Sequence, residues 1–331
     1  CCHNIVVIPC IELCPNSLIM ERKNFLRSLG LLAAGTMVPL KGKSVVTINE
    51  PLPTKQRSMR IAHLTDAHIA DNKNARNGFI KCLHAIQQME DTPDYIINGG
   101  DAIEDALYNT KSNVNKQWDL WHSILKNECS IKVNNTIGNH DIWGLYTEKK
   151  DFLYGKKFAQ EKLQMEHTYY SVDQCGWHII FLDSTQKKSN GMWYTAKLGE
   201  EQIDWLSRDL AATPANTPVL VVSHIPILCA NIFLDNVKQR FGKFQIPGSW
   251  MHTDVQEIVT LFNQYPNVKL CISGHIHLQD KVQYNNVMYC CNGAVSGDWW
   301  RNEYYHQTKA GYAIIDLFND GTFENNYMHY A

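Results

Sequence analysis

The sequence predicts an α/β fold in which one large domain follows an N-terminal leader. From about residue 58, short apolar stretches typical of strands alternate with segments whose apolar residues recur at helical spacing. Several apolar stretches run directly into glycine and then into Asp, Asn or His. Ligands of open α/β sheets bind just beyond the carboxyl ends of the strands, so this pattern predicts one polar cleft. No linker-like segment interrupts residues 58–331, which we interpret as a single domain.

The elements are predicted in chain order. Strands are expected at residues 60–65, 95–98, 168–172, 177–182, 219–223 and 268–273, with a further strand ending at Gly138 and others from Val282 onward. Helices are expected at residues 76–90, around Trp118 and Trp121, from about Glu200, and at about 253–263. The uninterrupted apolar run 219–223 is typical of a strand that is buried on both faces. The segment from Pro226 to about Trp250 is predicted to be irregular.

Composition excludes several classes of protein. The chain has 331 residues, of which 44% are hydrophobic and 19% are charged, a globular rather than a disordered profile. The formal net charge is −2 and no basic tract is present, so a nucleic-acid-binding surface is not predicted. Seven of the 11 cysteines follow Met20, an odd number scattered over a large domain, which argues against a disulfide framework.

Residues 20–45 are predicted to be an export signal of the bacterial type, because a basic stretch precedes a short apolar run. Residues 22–26 are similar to the twin-arginine signal, with Lys23 in place of the second arginine. The apolar run is too short and too interrupted by glycine for a stable membrane span. Met20 lies where such a signal would begin, so residues 1–19 are expected to be an upstream extension, or else an N-terminal tail. We expect a periplasmic or other extracytoplasmic location, with a cytoplasmic one as the alternative.

The predicted chemistry centres on residues 135–141, where an apolar strand end passes through Gly138 into Asn139, His140 and Asp141. An Asn oxygen can bind a hard cation, a His can donate a proton, and an Asp can hold that His in one tautomer. Four further motifs occupy comparable positions after predicted strands: Asp66-Ala67-His68, Gly100-Asp101, Ser223-His224 and Gly274-His275-Ile276-His277. Side chains at i and i+2 of an extended chain point the same way, so each His pair or Asp–His pair is expected to reach one metal.

The polar side chains expected in the cleft are Asp66, His68, Asp101, Asn139, His140, His224, His275 and His277. The other histidines are interpreted as ordinary surface or core residues: His63, His84, His122, His167, His178, His252, His306 and His329. Any one of the short motifs would occur by chance, whereas all five in order at strand ends favour a metal site.

Together the five motifs resemble the calcineurin-like metallophosphoesterase superfamily, whose pattern is Asp-x-His, Gly-Asp, Gly-Asn-His-Asp/Glu, His and Gly-His-x-His. The match spans roughly residues 60–277. The resemblance implies a four-layer α/β/β/α sandwich with two mixed sheets and a dinuclear metal site at the strand ends. By position it implies that one metal is bound by Asp66, His68, Asp101 and His277, and the other by Asp101, Asn139, His224 and His275. It also implies that His140 protonates the leaving group and that Asp141 orients His140.

The implied activity is hydrolysis of a phosphomonoester or phosphodiester by in-line attack of a metal-bridging hydroxide. Two cations would neutralise the phosphoryl oxygens and lower the pKa of the attacking water. The mixed nitrogen and oxygen ligands favour Mn, Fe or Zn, with the identity open. The segments 182–185, 201–206 and 223–226 are also similar to the cyclic-nucleotide phosphodiesterase branch.

A small phosphorylated substrate is expected, such as a nucleotide or a sugar phosphate; the oligomeric state is open. Four aromatic or inserted segments could line the cleft or simply cover the sheet ends: Trp143, Trp193-Tyr194, the insert 229–250 and Trp299-Trp300. The alternative function is a non-catalytic protein-interaction scaffold, as in some members of this fold. Such members typically lack metal ligands or the acid histidine, whereas every such position is filled here.

Overall fold

A computed structural model describes residues 54–330, apart from Asn236 and the side chain of Tyr146. The predicted upstream extension and export signal, residues 1–45, lie outside the described residues. The described strands are β1 (Arg57–Leu64), β2 (Tyr95–Asn98), β3 (Val133–Asn135), β4 (Tyr170–Gln174), β5 (Trp177–Leu182), β6 (Thr185–Lys187), β7 (Trp193–Ala196), β8 (Val219–Ser223), β9 (Lys238–Arg240), β10 (Lys243–Gln245), β11 (Val268–Ser273), β12 (Asp280–Tyr284), β13 (Val287–Cys291), β14 (Tyr304–Tyr305), β15 (Thr308–Lys309), β16 (Gly311–Phe318) and β17 (Phe323–His329). The described helices are α1 (Lys73–Gln87), α2 (Lys111–Glu128), α3 (Lys156–Leu163), α4 (Glu200–Ala212) and α5 (Val255–Phe262).

Two large sheets organise the domain. The first has five strands in the order β17-β16-β1-β2-β3, with β1, β2 and β3 parallel and β16 antiparallel to both β1 and β17. The second has six strands in the order β12-β13-β11-β8-β5-β4, with a parallel centre and antiparallel strands at both edges. Both sheets are therefore mixed, as predicted.

Three apolar cores separate four layers. Between the sheets, residues such as Ile61 and Ile97 of the first sheet pack with Phe181, Val222 and Ile272 of the second. On the outer side of the first sheet, α1 and α2 pack through residues that include Phe79, Leu83 and Trp118. On the outer side of the second sheet, α4 and α5 pack through residues that include Leu206, Leu210 and Ile258. This order of layers confirms the predicted α/β/β/α sandwich.

Burial alternates along the strands as the pleat requires. On β1, Ile61 belongs to the core between the sheets, whereas Ala62 belongs to the core under the helices. The same alternation explains the adjacent cysteines of β13, because Cys290 packs between the sheets and Cys291 packs in a small cluster with Ile276. All seven cysteines in the described part of the chain are free, as the sequence predicts.

Some predicted boundaries are wrong. The first helix spans Lys73–Gln87 rather than 76–90, because Asn72 caps it by accepting a hydrogen bond from the Ala75 amide at 2.9 Å. β3 ends at Asn135, three residues before the predicted end at Gly138. The segment predicted to be irregular up to Trp250 contains a 3₁₀ turn, Asn231–Leu234, and the β9–β10 hairpin. Within residues 54–330, no helix is both long enough and apolar enough to cross a membrane.

Candidate metal centre

The predicted ligands form two compact groups at neighbouring ends of the two sheets. Asp66, His68 and His277 form the first group, and within it the potential ligand atoms lie within 4.8 Å of one another. Asp101, His224 and His275 form the second group under the same limit. Asn139 joins the second group, since its Oδ1 lies 3.2 Å from Nε2 of His224.

The loops after the strands, rather than the strands themselves, aim these side chains. Asp66, His68, Asp101, His275 and His277 all have positive φ angles, between 43° and 69°. Residues other than glycine adopt this left-handed conformation uncommonly, and it concentrates at functional sites. Backbone hydrogen bonds hold the turns, including those from the His68 amide to the Asp101 carbonyl at 2.9 Å and from the Asp66 amide to the Gly100 carbonyl at 3.0 Å.

The left-handed turns correct one step of the sequence argument. Asp66 and His68 were expected to share one metal, and so were His275 and His277. The reason was that side chains two positions apart on an extended chain point the same way. Asp66 and His68 do fall in one group, but His275 and His277 fall in different groups. Because the turn residues are not extended, alternate positions need not face the same side. The assignment of His275 and His277 to different metals therefore follows the family resemblance rather than strand geometry.

One buried ligand atom of the first group lacks the partner that a cation would supply. Oδ1 of Asp66 is buried and accepts no hydrogen bond from the protein. It lies 3.4 Å from Nε2 of His277 and 3.8 Å from Nε2 of His68. The two Nε2 atoms are themselves only 3.1 Å apart. Converging imidazole nitrogens and a carboxylate oxygen fit a transition-metal cation.

Asp101 lies between the two groups. Its Oδ2 is 3.2 Å from Nε2 of His224 and 3.8 Å from Nε2 of His68. Its Oδ1 accepts a hydrogen bond from the His140 amide at 2.7 Å, which fixes the carboxylate. Gly138 makes room for it, since a Cβ there would lie 2.1 Å from the same Oδ1. This placement suits a carboxylate shared by two metals.

The electrostatics favour ionised carboxylates in this centre. Burial alone would raise the pKa of Asp66, but the nearby histidines, His277 first among them, hold it well below its usual range. The pKa of Asp101 is likewise lowered, because His224 and His140 outweigh the effect of burial. Burial lowers the pKa of His275 to about 3, which leaves that ring neutral. Burial would lower the pKa of His224, but Asp101 raises it to about 9, so this ring would lose its proton on binding metal, whereas the ionised carboxylates and neutral His275 are already in the binding form.

His140 lies beside the two groups with its ring partly open to solvent. The side chain is 24% exposed, and its centroid is 5.0 Å from that of His68 in an edge-on arrangement. Nδ1 lies 3.5 Å from Oδ1 of Asp105, an ion-pair distance rather than a well-formed hydrogen bond. Burial would lower the pKa of His140, but Asp101 and Asp105 raise it. His140 is thus placed to carry a proton.

The predicted contact between Asp141 and His140 is wrong. The Asp141 carboxylate faces away and accepts hydrogen bonds from four backbone amides, those of Gly138, Asp101, Ala102 and Ile103, at 2.9 to 3.3 Å. Asp141 therefore shapes the loops that carry the ligands, and Asp105 faces the ring instead. Burial raises the pKa of Asp141 to about 7. Sequence reasoning missed Asp105; the available signal was a carboxylate four residues after Asp101.

The remaining histidines lie outside the two groups, either in the core or nearer the surface. His178 and His252 are buried and paired with carboxylates, and His63 is buried beside Asn292. His252 supports the strand end that precedes His224, since its Nε2 lies 3.1 Å from Oγ of Ser223. Their placement in the core agrees with the interpretation of these residues as ordinary surface or core histidines.

Of the aromatic residues that were considered as possible lining of the cleft, some lie at the cleft and others lie in the core. Trp143 is fully buried in the core under the helices, and Trp193 packs against that core. Tyr194 lies edge-on to His275, with ring centroids 6.3 Å apart. Trp299 stacks on His68, whereas Trp300 packs behind it against Gly78. Of the two adjacent tryptophans, only Trp299 contacts the predicted ligands through its ring.

A family model described as calcineurin-like phosphoesterase matches residues 59–279. The chain is 23% identical over 288 residues to a 3′,5′-cyclic-nucleotide phosphodiesterase of Nostoc sp., covering 83% of this chain and 92% of that protein. It is 25% identical over 251 residues to the 3′,5′-cyclic adenosine monophosphate phosphodiesterase CpdA of Escherichia coli, covering 73% of this chain and 77% of CpdA.

Two solved structures share the fold. A dimetal phosphatase from Danio rerio superposes with a TM-score of 0.59 at 12% identity, covering 83% of this chain and 100% of that one. GAP50, described as the anchor in the inner membrane complex of Plasmodium, superposes with a TM-score of 0.50 at 15% identity, covering 82% of this chain and 84% of that one. At these identities the likeness extends to the fold alone.

Proposed function

Because the chain belongs to the calcineurin-like phosphoesterase family, and is a metal-dependent phosphoric ester hydrolase, we propose that it cleaves small phosphodiesters, with 3′,5′-cyclic nucleotides as the first candidates. The observation that carries the proposal is the position of Asp101. Its Oδ2 lies 3.2 Å from Nε2 of His224 in its own group and 3.8 Å from Nε2 of His68 in the other group. A phosphoryl group held across such a centre would have its charge neutralised from both sides.

The residues present fit two metal ions. The first would be held by Asp66, His68, Asp101 and His277, and the second by Asp101, Asn139, His224 and His275. We propose Mn, Fe or Zn, because imidazole nitrogens share the sites with carboxylate and amide oxygens. When bound, such ions neutralise phosphoryl oxygens and lower the pKa of a coordinated water.

The chain's own residues supply orientation and a proton. His140 lies at the edge of the first group, with its ring 24% exposed, so it can reach an oxygen that leaves the phosphorus. His140 would protonate that leaving oxygen. Asp105, 3.5 Å from Nδ1, holds the ring and favours its protonated form.

The curated relatives support the proposed substrate class. Both are named as phosphodiesterases of 3′,5′-cyclic nucleotides, and each alignment covers more than two thirds of both proteins. A phosphomonoester is the alternative within the same chemistry. The non-catalytic scaffold alternative is disfavoured, because the two ligand groups and His140 are all assembled.

We keep the extracytoplasmic location as a separate proposal, supported by the basic and apolar pattern of residues 20–45. Fractionation of the host cell, followed by N-terminal sequencing of the recovered protein, tests it. Recovery in the cytoplasm with residues 20–45 intact would contradict export.

The function is tested by elemental analysis and hydrolysis assays on the purified protein. We expect two metal ions per chain and metal-dependent conversion of cyclic AMP to AMP. Asp101→Asn should lose both properties, whereas Asp119→Asn, a control at a side chain 71% exposed, should lose neither. A protein that binds no metal and cleaves nothing would support the scaffold alternative. Cleavage of monoesters without diesters would make the proposed substrate class wrong.

A further inference from the structure

The loop 297–302 carries two adjacent tryptophans with different surroundings. Trp300 is an anchor: its Nε1 donates hydrogen bonds to the backbone carbonyls of Ala67 at 2.8 Å and His68 at 3.1 Å. Its ring also occupies the space over Gly78 on α1, where a Cβ would lie 2.1 Å from Cζ3. Trp300 is therefore fixed from both sides, and it fixes the position of its neighbour.

Trp299 lies against the candidate metal centre. Its ring stacks on His68, with centroids 3.7 Å apart and planes 26° apart. It is also near-parallel to His277 at 5.6 Å and edge-on to His140 at 4.9 Å. Unlike the core tryptophans, the residue is only partly buried. A large aromatic face thus lies at the edge of the predicted reaction site.

The loop that presents Trp299 has an unusual backbone conformation and several internal hydrogen bonds. Trp299 and Trp300 both have positive φ angles, 53° and 62°, a conformation that bulky residues adopt only when their surroundings require it. The Asp298 carboxylate ties the loop by accepting hydrogen bonds from Arg301 at 2.9 Å and from Asn302 at 3.1 Å. The Trp300 amide donates to the Ser296 carbonyl at 2.9 Å. A strained and well-bonded loop that presents an aromatic ring points to recognition rather than simple covering.

A cavity of about 630 Å³ opens beside Trp299. Its lining includes Trp299, Asn72, Lys73, Asn74, Glu104 and Arg301. This volume lies within the range of small-molecule sites, roughly 300 to 1,000 Å³. Oδ1 of Asn72 caps α1 and Nδ2 of Asn74 contacts the Trp300 carbonyl, so Nδ2 of Asn72 and Oδ1 of Asn74 are the amide atoms that can pair with the edge of a heterocycle, while the indole offers a flat apolar face. Metal ligation accounts for none of the six side chains.

We propose that Trp299 and this cavity form a nucleobase subsite. The base stacks on the indole face turned away from His68, while the phosphate lies at the two ligand groups. The subsite rests on the proposed function, and it assigns the substrate to the nucleotides rather than to sugar or glycerol phosphodiesters. Arrangements in which bases stack on aromatic side chains tolerate different bases, because every base has a π face. We therefore expect little discrimination between purine and pyrimidine nucleotides.

The subsite is tested by the ratio of two specificity constants. Measured on the metal-loaded protein, kcat/KM for cyclic AMP is divided by kcat/KM for glycerophosphoethanolamine, a diester without a ring. Trp299→Ala should lower this ratio about tenfold or more, the usual loss when one stacking side chain is removed. Trp299→Phe should retain most of the ratio. Trp205→Ala, a remote indole on α4 in contact with Tyr169, should leave the ratio unchanged.

Equal losses on both diesters, which leave the ratio unchanged, would mean that the indole supports the metal ligands and does not bind a base. No loss on either diester would likewise exclude the subsite. If the wild-type protein cleaves neither diester, the proposed function fails, and binding still decides the subsite. Calorimetry would then compare AMP with ribose 5-phosphate. Selective weakening of AMP binding by Trp299→Ala would support the subsite, and equal or absent weakening would overturn it.

Discussion

Asp105 and Asp141 show how closely spaced carboxylates can have different functions. Asp105 faces the His140 ring at 3.5 Å, whereas Asp141, the direct chain neighbour of His140, faces four backbone amides. Adjacency in sequence favoured Asp141 as the partner. A turn between neighbouring residues can send their side chains in different directions, and only the folded backbone shows this.

Asp105→Asn is expected to weaken proton donation by His140. The substitution removes the negative charge beside Nδ1, so hydrolysis of an alkyl diester should fall about tenfold. A nitrophenyl diester should be less affected, because nitrophenolate leaves without a proton. His140→Ala should show the same pattern more strongly on the alkyl ester, by about 10²- to 10⁴-fold. Steady-state rates with both esters at full metal occupancy provide the measurement, and equal losses on both would contradict proton transfer.

Asp141→Asn is expected to destabilise the protein. The carboxylate accepts hydrogen bonds from four backbone N–H groups. The Asn side chain would instead point its own NH₂ donors at some of these N–H groups. We expect a loss of about 1 to 3 kcal/mol in the free energy of unfolding, the usual cost of unsatisfied buried groups. Urea titration of the metal-free protein measures it, with the exposed Asp119→Asn as the control. Unchanged stability would mean that the loop rearranges at little cost.

At the scale of elements, the sequence predicted where the strands end, but it did not predict the backbone conformation of the loops that follow them. Apolar runs located β1, β2, β8 and β11, and with them the loops that carry the ligands. The sequence contained no signal for left-handed backbone at Asp66 or His275, because these types usually adopt other conformations. Contacts between distant loops, such as the 2.9 Å bond from His68 to Asp101, impose it.

Gly138→Ala is expected to reduce metal binding. The added Cβ would lie 2.1 Å from Oδ1 of Asp101 and 2.3 Å from its backbone nitrogen, so the carboxylate would have to move. We expect a drop of at least tenfold in metal affinity, measured by competition with a chelating dye. Gly191→Ala provides a control: nothing lies within 4 Å of a Cβ there, and only backbone strain is added. Unchanged affinity in the Gly138 variant would show that Asp101 can shift without cost.

His178 joins β5 to α4 through Asp209 at 2.9 Å and to β4 through Asp173 at 2.7 Å. Burial would lower the pKa of His178, but the two carboxylates raise it. A raised folded-state pKa gives stability that is complete below the unfolded value of about 6.5 and is lost as pH rises through the folded value. Asp209→Asn should therefore cost about 1.5 to 3 kcal/mol at pH 5.5 and less at pH 9, by urea titration. An equal cost at both pH values would exclude linkage to His178.

At the scale of the whole molecule, the candidate centre joins the two sheets. Asp66, His68 and Asp101 follow strands of the first sheet, whereas His224 and His277 follow strands of the second. Each ligand group contains residues from both sheets. Apolar packing and a few hydrogen bonds, such as that from Nε1 of Trp177 to the Phe318 carbonyl at 3.0 Å, hold the two sheets together, and metal binding would add a further link between them.

Removal of metal is therefore expected to lower the melting temperature. Each site that is saturated at a hundred times its dissociation constant adds about 2.7 kcal/mol to the free energy of unfolding, by mass action. A thermal scan with and without a chelator, followed by return of the metal, measures the effect. The melting temperature of the Asp101→Asn variant should change much less on addition of the chelator, because this variant lacks the shared ligand. A melting temperature unaffected by chelation would count against metal sites within the fold.

The layered architecture and the membership of the two ligand groups could be predicted from sequence, because family motifs specify residue type and order. The roles of Trp299 and Trp300 could not. Both are tryptophan, both are partly buried and both follow Gly297, so no local pattern separates them. The difference arises from Gly78 and the Ala67 carbonyl, which lie more than 200 positions away in sequence.

The attachment of Trp300 has a consequence for how this enzyme could diversify. The loop is fastened through main-chain carbonyls and through a gap left by Gly78, so its attachment does not depend on which side chain occupies position 299. A single codon change at that position could therefore exchange the surface offered to the organic part of a substrate, with no ligand side chain altered. Position 78 could not vary in this way, because the side chain of any larger residue would displace Trp300. New substrate ranges could then arise by mutation at position 299 wherever the new side chain keeps His68 in place and accepts the left-handed backbone there.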